Sequence, residues 1–370
     1  MELVHRFRFL AAVLVLALFI PLPAQARSVT DAGGKVIEIP DAVERVICSG
    51  SGSLRLLTYL QGQSLAVAVD DIESRRSRFD SRPYAIANQQ FKTMPVFGQF
   101  RGHDNPELIL TLEPQPQVVF KTFSTMGHDP AELEQKTGIP VVVLDYGNLG
   151  ARRDQLFATL RLMGEVVGRE QRAESVIAYI TELIDDLNKR TADIPEQDRP
   201  SAFVGGVAFK GPHGFQSTEP TYPPFSFVRA RNLAYDANSA GKGLSQSDVA
   251  KEKIVEWNPD YLFLDLSTLQ MGDEAGGLFE LRTDPAYRTL AAVKADRVYG
   301  VLPYNWYSIN YGSILANAYF IGKTLYPDRF ADVDPAAKAD EIYTFLVGKP
   351  VFADMNHMFQ GMAYVPVRVN

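Results

Sequence analysis

Short apolar runs alternate with amphipathic segments along most of this chain. Val29 to Ile39 switches between apolar and polar positions around Gly33-Gly34, which predicts a hairpin. Strands are predicted at Arg45 to Cys48, Ser64 to Val69, Met94 to Phe97, Val118 to Phe120 and Val141 to Leu144. Helices at Ser53 to Leu60, Pro106 to Leu112 and Pro130 to Thr137 fall between them, and Arg75 to Gln90 reads as an irregular basic and aromatic insertion. Strands and helices in alternation imply a largely parallel sheet covered on both faces.

The pattern then changes. From Arg152 to about Arg190 there is no proline, and apolar residues recur at helical spacing from Leu156 to Val167 and again from Val176 to Leu187. One long helix, or a helix interrupted near Gly164 to Gly168, fits this stretch, and a helix of that length can join two lobes. After the polar break Pro195 to Pro200 the α/β rhythm restarts, with strands at Ser201 to Val207, Tyr261 to Asp265 and Val298 to Leu302. Helices are predicted at Lys251 to Trp257, Pro285 to Val293, Tyr311 to Leu325 and Pro335 to Val347, and the tail from Phe352 reads as loop. The halves echo each other. Pro106 to Phe120 and Lys253 to Asp265 are each an amphipathic helix, a proline stop and a buried strand. The predicted fold class is therefore α/β, with two Rossmann-like lobes, 27–150 and 193–370, joined by a helical segment 151–192 and a ligand cleft between them.

The first residues bear on the compartment. Arg6 and Arg8 precede the apolar run Phe9 to Leu22, and Ala24-Gln25-Ala26 supplies the small residues a signal peptidase needs. Cleavage is expected after Ala26, giving an exported protein. Loss of Glu2, Arg6 and Arg8 takes the formal charge from −7 to about −8. An acidic surface argues against a nucleic-acid partner. The one cysteine, Cys48, cannot form a disulfide within the chain, follows the leader too distantly to carry a lipid, and reads as a small core residue.

Candidate binding chemistry clusters in loops that follow strands. Ser49-Gly50-Ser51-Gly52-Ser53 allows backbone N–H groups to approach an anion at a helix start, or is simply a tight turn. It lacks the Lys-Ser/Thr ending of a nucleotide loop. Arg101 suits a carboxylate or oxyanion and His103 a metal. Lys121 and Tyr146 sit at the C-terminal ends of strands, where open α/β sheets bind ligands. In the second half, Lys210, His213, Glu219 and Tyr222 share one loop, and Tyr304, Asn305, Trp306 and Tyr307 form another. Aromatic faces with amide and hydroxyl handles suit a planar or chelated ligand. The five histidines are too scattered for a tight bare-metal site. Catalytic fingerprints of hydrolases, zinc proteases and dinucleotide enzymes are absent from the sequence, so no catalysis and no tightly bound cofactor are expected.

Arg45-Val46-Ile47 with Ser49 to Leu57, Pro106 to Phe120, Gly138 to Val143, Trp257-Asn258-Pro259-Asp260 and Leu290 to Tyr299 occur in this order across nearly the whole chain after the leader. In that arrangement the chain resembles the periplasmic substrate-binding proteins of ABC importers for iron complexes and cobalamin. The resemblance implies a monomeric periplasmic receptor that hands a small ligand to an inner-membrane permease. It also implies that the Arg101–His103 loop borders the cleft, and that Glu107 and Glu252, on corresponding helices of the two lobes, meet arginines of the permease. A ferric chelate is the expected ligand. Molybdate or tungstate is the alternative, and a non-transport interaction protein on the same fold is a third reading.

Overall fold

The computed structural model describes residues 26–75, 78–123, 125–235 and 246–369. The leader lies outside the described residues except for Ala26. The chain opens with a hairpin, β1 (Ala26–Thr30) antiparallel to β2 (Val36–Pro40). Asp31 closes its turn by accepting the Gly33 and Lys35 N–H groups, both at 2.9 Å. The hairpin lies on lobe one, where Ala32 N–H donates to the Val143 carbonyl at 3.0 Å.

Lobe one is a six-stranded sheet of β3 (Val46–Ser49), β4 (Ala66–Asp70), β5 (Val96–Gln99), β6 (His103–Asp104), β7 (Val118–Thr122) and β8 (Val141–Leu144). Their order is β6-β5-β4-β3-β7-β8, all parallel except the short antiparallel edge β6. The chain leaves β3 to one side for β4 and β5, then crosses to the other for β7 and β8. The direction reverses between β3 and β7, so their carboxyl ends open a crevice. Ile47, Val119 and Val141 pack one face against Ile109 and Leu133 of the covering helices Pro106–Leu110 and Pro130–Thr137.

Lobe two repeats the scheme with β9 (Ser201–Gly205), β11 (Arg231–Asn232), β13 (Tyr261–Asp265) and β14 (Val298–Val301), in the order β11-β9-β13-β14 and all parallel. The reversal here falls between β9 and β13. Two short strands, β10 (Ser217–Thr218) and β12 (Ser247–Asp248), pair antiparallel beside this sheet. The tail departs from the expected loop. Phe352–Met358 is a helix, because Phe352, Met355 and Phe359 recur on one buried face, and the chain then returns along β14 through Gly300–Ala363 and Tyr299–Pro366 bridges. Phe359 stacks on Phe79 of lobe one, with ring centres 5.7 Å apart.

The connecting segment follows the interrupted reading. Gly168, at φ 64°, ends the helix Arg153–Val167 in the left-handed conformation that glycine adopts most readily, and Glu170–Thr191 begins afresh. The first helix packs back on lobe one, where Arg27 caps it through the Glu165 and Val166 carbonyls at 2.7 and 3.0 Å. The second has 22 residues and is about 33 Å long. Its buried stripe Val176, Ile180, Ile184 and Leu187 belongs to one apolar core that runs through Tyr311–Leu325 and Pro335–Val347 into both lobes. Among the described residues no helix is long and apolar enough to cross a membrane.

The Arg75–Gln90 insertion folds inward where it is described. Arg82 is 3% exposed and pairs with Glu73 at 2.9 Å and Asp80 at 2.8 Å, and Tyr84 of the short helix Pro83–Ala87 donates to Glu73.

Candidate functional site

The carboxyl ends of the two sheets face each other across a cleft of about 760 Å³. Lobe one contributes Ser51, Ile72, Phe100, Arg101, Phe123 and Asn148 to Ala151; lobe two contributes Ala208 to Pro212, Glu219, Gln270 and Tyr304 to Ile309. Eight of the residues singled out by sequence, Ser51, Arg101, Lys210, Glu219, Tyr304, Asn305, Trp306 and Tyr307, line this one space.

Each wall carries the same small device. Phe100-Arg101-Gly102 turns with Arg101 at φ 62°, and Phe209-Lys210-Gly211 turns with Lys210 at φ 57°. Each glycine also has a positive φ, which lets the tip project. The Arg101 guanidinium lies 5.2 Å from the centre of the Phe100 ring, and Lys210 Nζ lies 5.4 Å from that of Phe209. Both cations are exposed, so each stands against an aromatic face with its head free for an anion.

Other predicted residues build these tips or the walls instead of lining the cleft. Lys121 is wholly buried, with Nζ 2.6 Å from Asp104, 3.1 Å from the Gly102 carbonyl and 3.3 Å from Ser49 Oγ. It supports the Arg101 turn from behind, and Ser49 is buried with it. His213 holds the other turn, its Nε2 2.8 Å from the Phe209 carbonyl. The expected anion cradle at Ser49 to Ser53 is largely filled. A Cβ on Gly52 would lie 2.3 Å from the Tyr146 ring, and one on Gly50 would lie 3.0 Å from the Thr122 carbonyl. Of that stretch only Ser51 lines the cleft. Tyr146 is buried, stacked on Tyr311 at 5.2 Å, and its hydroxyl donates to the Ile309 carbonyl at 2.7 Å. Tyr222 is buried behind Tyr304, with ring centres 5.8 Å apart. His103 sits exposed on the edge strand beside His128, outside the cleft lining. Glu107 and Glu252 are exposed in the first turns of Pro106–Leu110 and Lys251–Trp257. Among the described residues no group of three or more His, Cys, Asp or Glu is arranged to hold a metal ion. Cys48 is buried, and burial pushes its thiol up to about 12.

Two residues that join the lobes escaped the sequence reading. Arg55 is completely buried on the lobe-one helix Ser53–Tyr59 and reaches into the Tyr304–Asn310 loop of lobe two. It donates to Asn310 Oδ1 at 2.9 Å and to the carbonyls of Ile309, Trp306 and Tyr307 at 3.0, 3.1 and 2.8 Å. Its guanidinium lies 4.8 Å from the centre of the Tyr84 ring, so the folded insertion forms its seat. An arginine inside Leu54-Arg55-Leu56-Leu57 was the available signal. Asp70, at the end of β4, is 3% exposed and accepts the Tyr307 hydroxyl from lobe two. That hydroxyl also accepts from Arg101 N–H at 3.1 Å. Burial, and then the neighbouring Glu73, hold the Asp70 carboxyl well above the usual carboxylate range.

Lobe two has a buried acid pair of its own. Glu219 accepts the Tyr304 hydroxyl, and Asp265, at the end of β13, accepts Ser267 N–H at 2.9 Å. Burial pushes Asp265 up to about 7, and burial followed by Asp265 raises Glu219 well above its ordinary value.

Residues 46–304 match the model of the periplasmic binding protein family. The match spans more than half of the chain, which therefore belongs to that family, the binding components of ABC transporters. The iron-uptake system-binding protein of Bacillus subtilis is 23% identical over 195 residues, covering 52% of this chain and 54% of that protein, so this match spans about half of the relative. The molybdate-binding protein MolA of Haemophilus influenzae is 23% identical over 342 residues, covering 86% of this chain and 90% of that protein. In fold, the chain is similar to MolA bound to molybdate, with a TM-score of 0.65 at 20% identity over 88% of this chain and 98% of that one. It is likewise similar to a periplasmic solute-binding protein of Veillonella parvula, with a TM-score of 0.68 at 17% identity over 92% of this chain and 98% of that one.

Proposed function

We propose that this chain, exported through a cleaved leader, captures an anionic ferric chelate in the cleft and delivers it to an inner-membrane permease. One observation carries the reading: two projecting cations, Arg101 and Lys210, face a shared aromatic cleft from opposite lobes. Opposed cations select negative charge, and the Phe100, Phe209 and Trp306 rings suit the flat apolar faces of a chelate. The cleft, at about 760 Å³, falls within the roughly 300–1,000 Å³ that small-molecule sites occupy. A bare oxyanion would leave most of it to water. The likeness to MolA over 86% of the chain favours molybdate as a second reading. Direct metal ligation has less support, since His103 lies outside the cleft lining.

Trp306 lines the cleft and its fluorescence should report capture. Titration with ferric citrate, a ferric tris-catecholate, molybdate and tungstate, repeated by calorimetry, should give saturable binding of a ferric chelate. Arg101→Ala and Lys210→Ala should each weaken it about tenfold, the effect of one charge-assisted contact. A response to molybdate alone would move the ligand to the second reading, and two alanine variants with wild-type affinity would remove the cations from it. Charge reversal at Glu107 or Glu252 should lower uptake and leave affinity unchanged.

A further inference from the structure

Glu219 lines the cleft yet is 5% exposed, and an anion receptor would ordinarily avoid a carboxylate there. Its Oε2 accepts the Tyr304 hydroxyl, and its own main-chain carbonyl is held by Asn232 Nδ2 at 3.1 Å. Asp265, whose charge acts on Glu219, is 1% exposed, with one oxygen on Ser267 N–H and Oδ2 without a hydrogen-bond partner. The Tyr222 side chain is buried beside them, against Asn317. Among the described residues, the titratable groups facing the pair are Tyr222 from its own loop, Tyr304 from the loop after β14, and the two acids themselves. Among the described residues, Lys210 and Arg101 are the cations of the cleft lining, and both are exposed; the described buried residues of lobe two include no lysine or arginine. Two buried carboxylates without a buried cation cannot both ionise near neutral pH. Burial raises both, Asp265 to about 7. A carboxyl that keeps its proton changes from an acceptor into a donor.

We propose that Glu219 meets the captured anion as a carboxylic acid, donating a hydrogen bond from Oε1 while the Tyr304 hydroxyl fixes Oε2. This rests on the cleft being an anion receptor. Three donors then converge on the ligand, Arg101 and Lys210 from the tips and Glu219 from the floor. The third is lost when the acid ionises. Ligands rich in acceptor oxygens are favoured, and ligands presenting an ammonium group gain nothing from the acid.

The mature chain and its Glu219→Gln and Glu219→Leu variants should be titrated calorimetrically with molybdate and with a ferric tris-catecholate between pH 6.5 and 8.5. Glutamine keeps a donor and cannot ionise, so comparison with it cancels the titration of the ligand. Wild-type affinity should fall about tenfold more than that of Glu219→Gln across this range. Glu219→Gln should stay within about threefold of wild type at pH 6.5, and Glu219→Leu should bind weakly throughout. Parallel pH profiles for wild type and Glu219→Gln, with a Glu219 carboxyl resonance that titrates within the range, would overturn the inference and leave the anion-receptor reading intact. So would loss of binding in a folded Glu219→Gln, which would mean that the charged carboxylate is needed. Carboxyl ¹³C resonances of the ligand-free protein supply the separate readout. A Glu219 carboxyl that titrates in the ordinary acid range overturns the inference. One that titrates high in a protein that binds neither probe at any pH shows that the anion-receptor reading has failed, and the inference falls with it.

Discussion

Beneath the cleft, lobe one buries Arg55, Arg82 and Lys121 among Asp70, Glu73, Asp80 and Asp104, whereas lobe two buries Glu219 and Asp265 with no lysine or arginine among its described buried residues. In lobe one Arg82 and Lys121 pair with carboxylates at 2.6 to 2.9 Å, and Arg55 turns most of its donors to the other lobe. These ion pairs form a buried framework under the cleft. Glu219 and Asp265 have no such partner among the described residues, and burial raises both above the ordinary carboxylate value. On the reading proposed above the difference divides labour: one lobe supplies the ion-paired framework and the grip on its neighbour, and the other supplies an acid at the cleft that responds to pH.

Breaking the grip should have the largest effect. Arg55→Ala leaves three carbonyls, Asn310 and the Tyr146 hydroxyl without their donor in a buried setting, and should lower stability by about 3–5 kcal/mol in urea denaturation. Arg55→Lys should recover little of this, because one ammonium cannot span the same fork of acceptors. A loss below about 1 kcal/mol would mean that the lobes are held by the shared apolar core alone.

The pH response comes next. A carboxyl whose ionisation is raised on folding binds its proton more tightly folded than unfolded, so stability falls as pH climbs from the ordinary carboxylate range, about 4, towards 7, and is level beyond. Asp265→Asn should therefore gain on wild type across that window, by on the order of 2–4 kcal/mol at pH 8. Equal chemical-denaturation curves at pH 8 would place Asp265 among the ordinary carboxylates. Tyr307→Phe removes the bond to Asp70 and should shift the unliganded lobes towards separation by about 1–2 kcal/mol, read as a larger radius of gyration in small-angle scattering. An unchanged radius would leave Arg55 as the polar bridge that matters. Smallest of all, Arg161→Ala breaks an exposed pair with Glu174 between the two connecting helices and should leave the unfolding midpoint unmoved.

Much of the architecture was legible because its signals are local. Proline after an amphipathic helix marked Pro106 to Pro114 and Lys251 to Pro259, and apolar runs marked β7, β8 and β13. The connecting segment stayed open between one helix and two, since Gly168 is tolerated inside a helix as well as just beyond one. The cleft lining was legible where a loop projects. Arg101, Lys210 and Trp306 line the cleft, as does Tyr307. It was illegible where side chains turn inward. Lys121 and Tyr146 follow strands, as ligand-binding residues do, but the neighbours that bury them, Asp104 and Tyr311, are fixed only by tertiary packing. Arg55 and its partners in lobe two lie more than 250 residues apart in the chain, and no periodicity connects them.

Arg55 takes hold of lobe two chiefly by its main chain, through the carbonyls of Trp306, Tyr307 and Ile309. Main-chain oxygens are the same whatever residue carries them. The side chains at 306 and 309 can thus be exchanged without loosening the handshake between the lobes, while every exchange redraws the wall that a cargo touches. Inheritance can try new cargoes on a scaffold whose clasp does not depend on them, so one fold can diversify in what it carries without first relearning how to hold together.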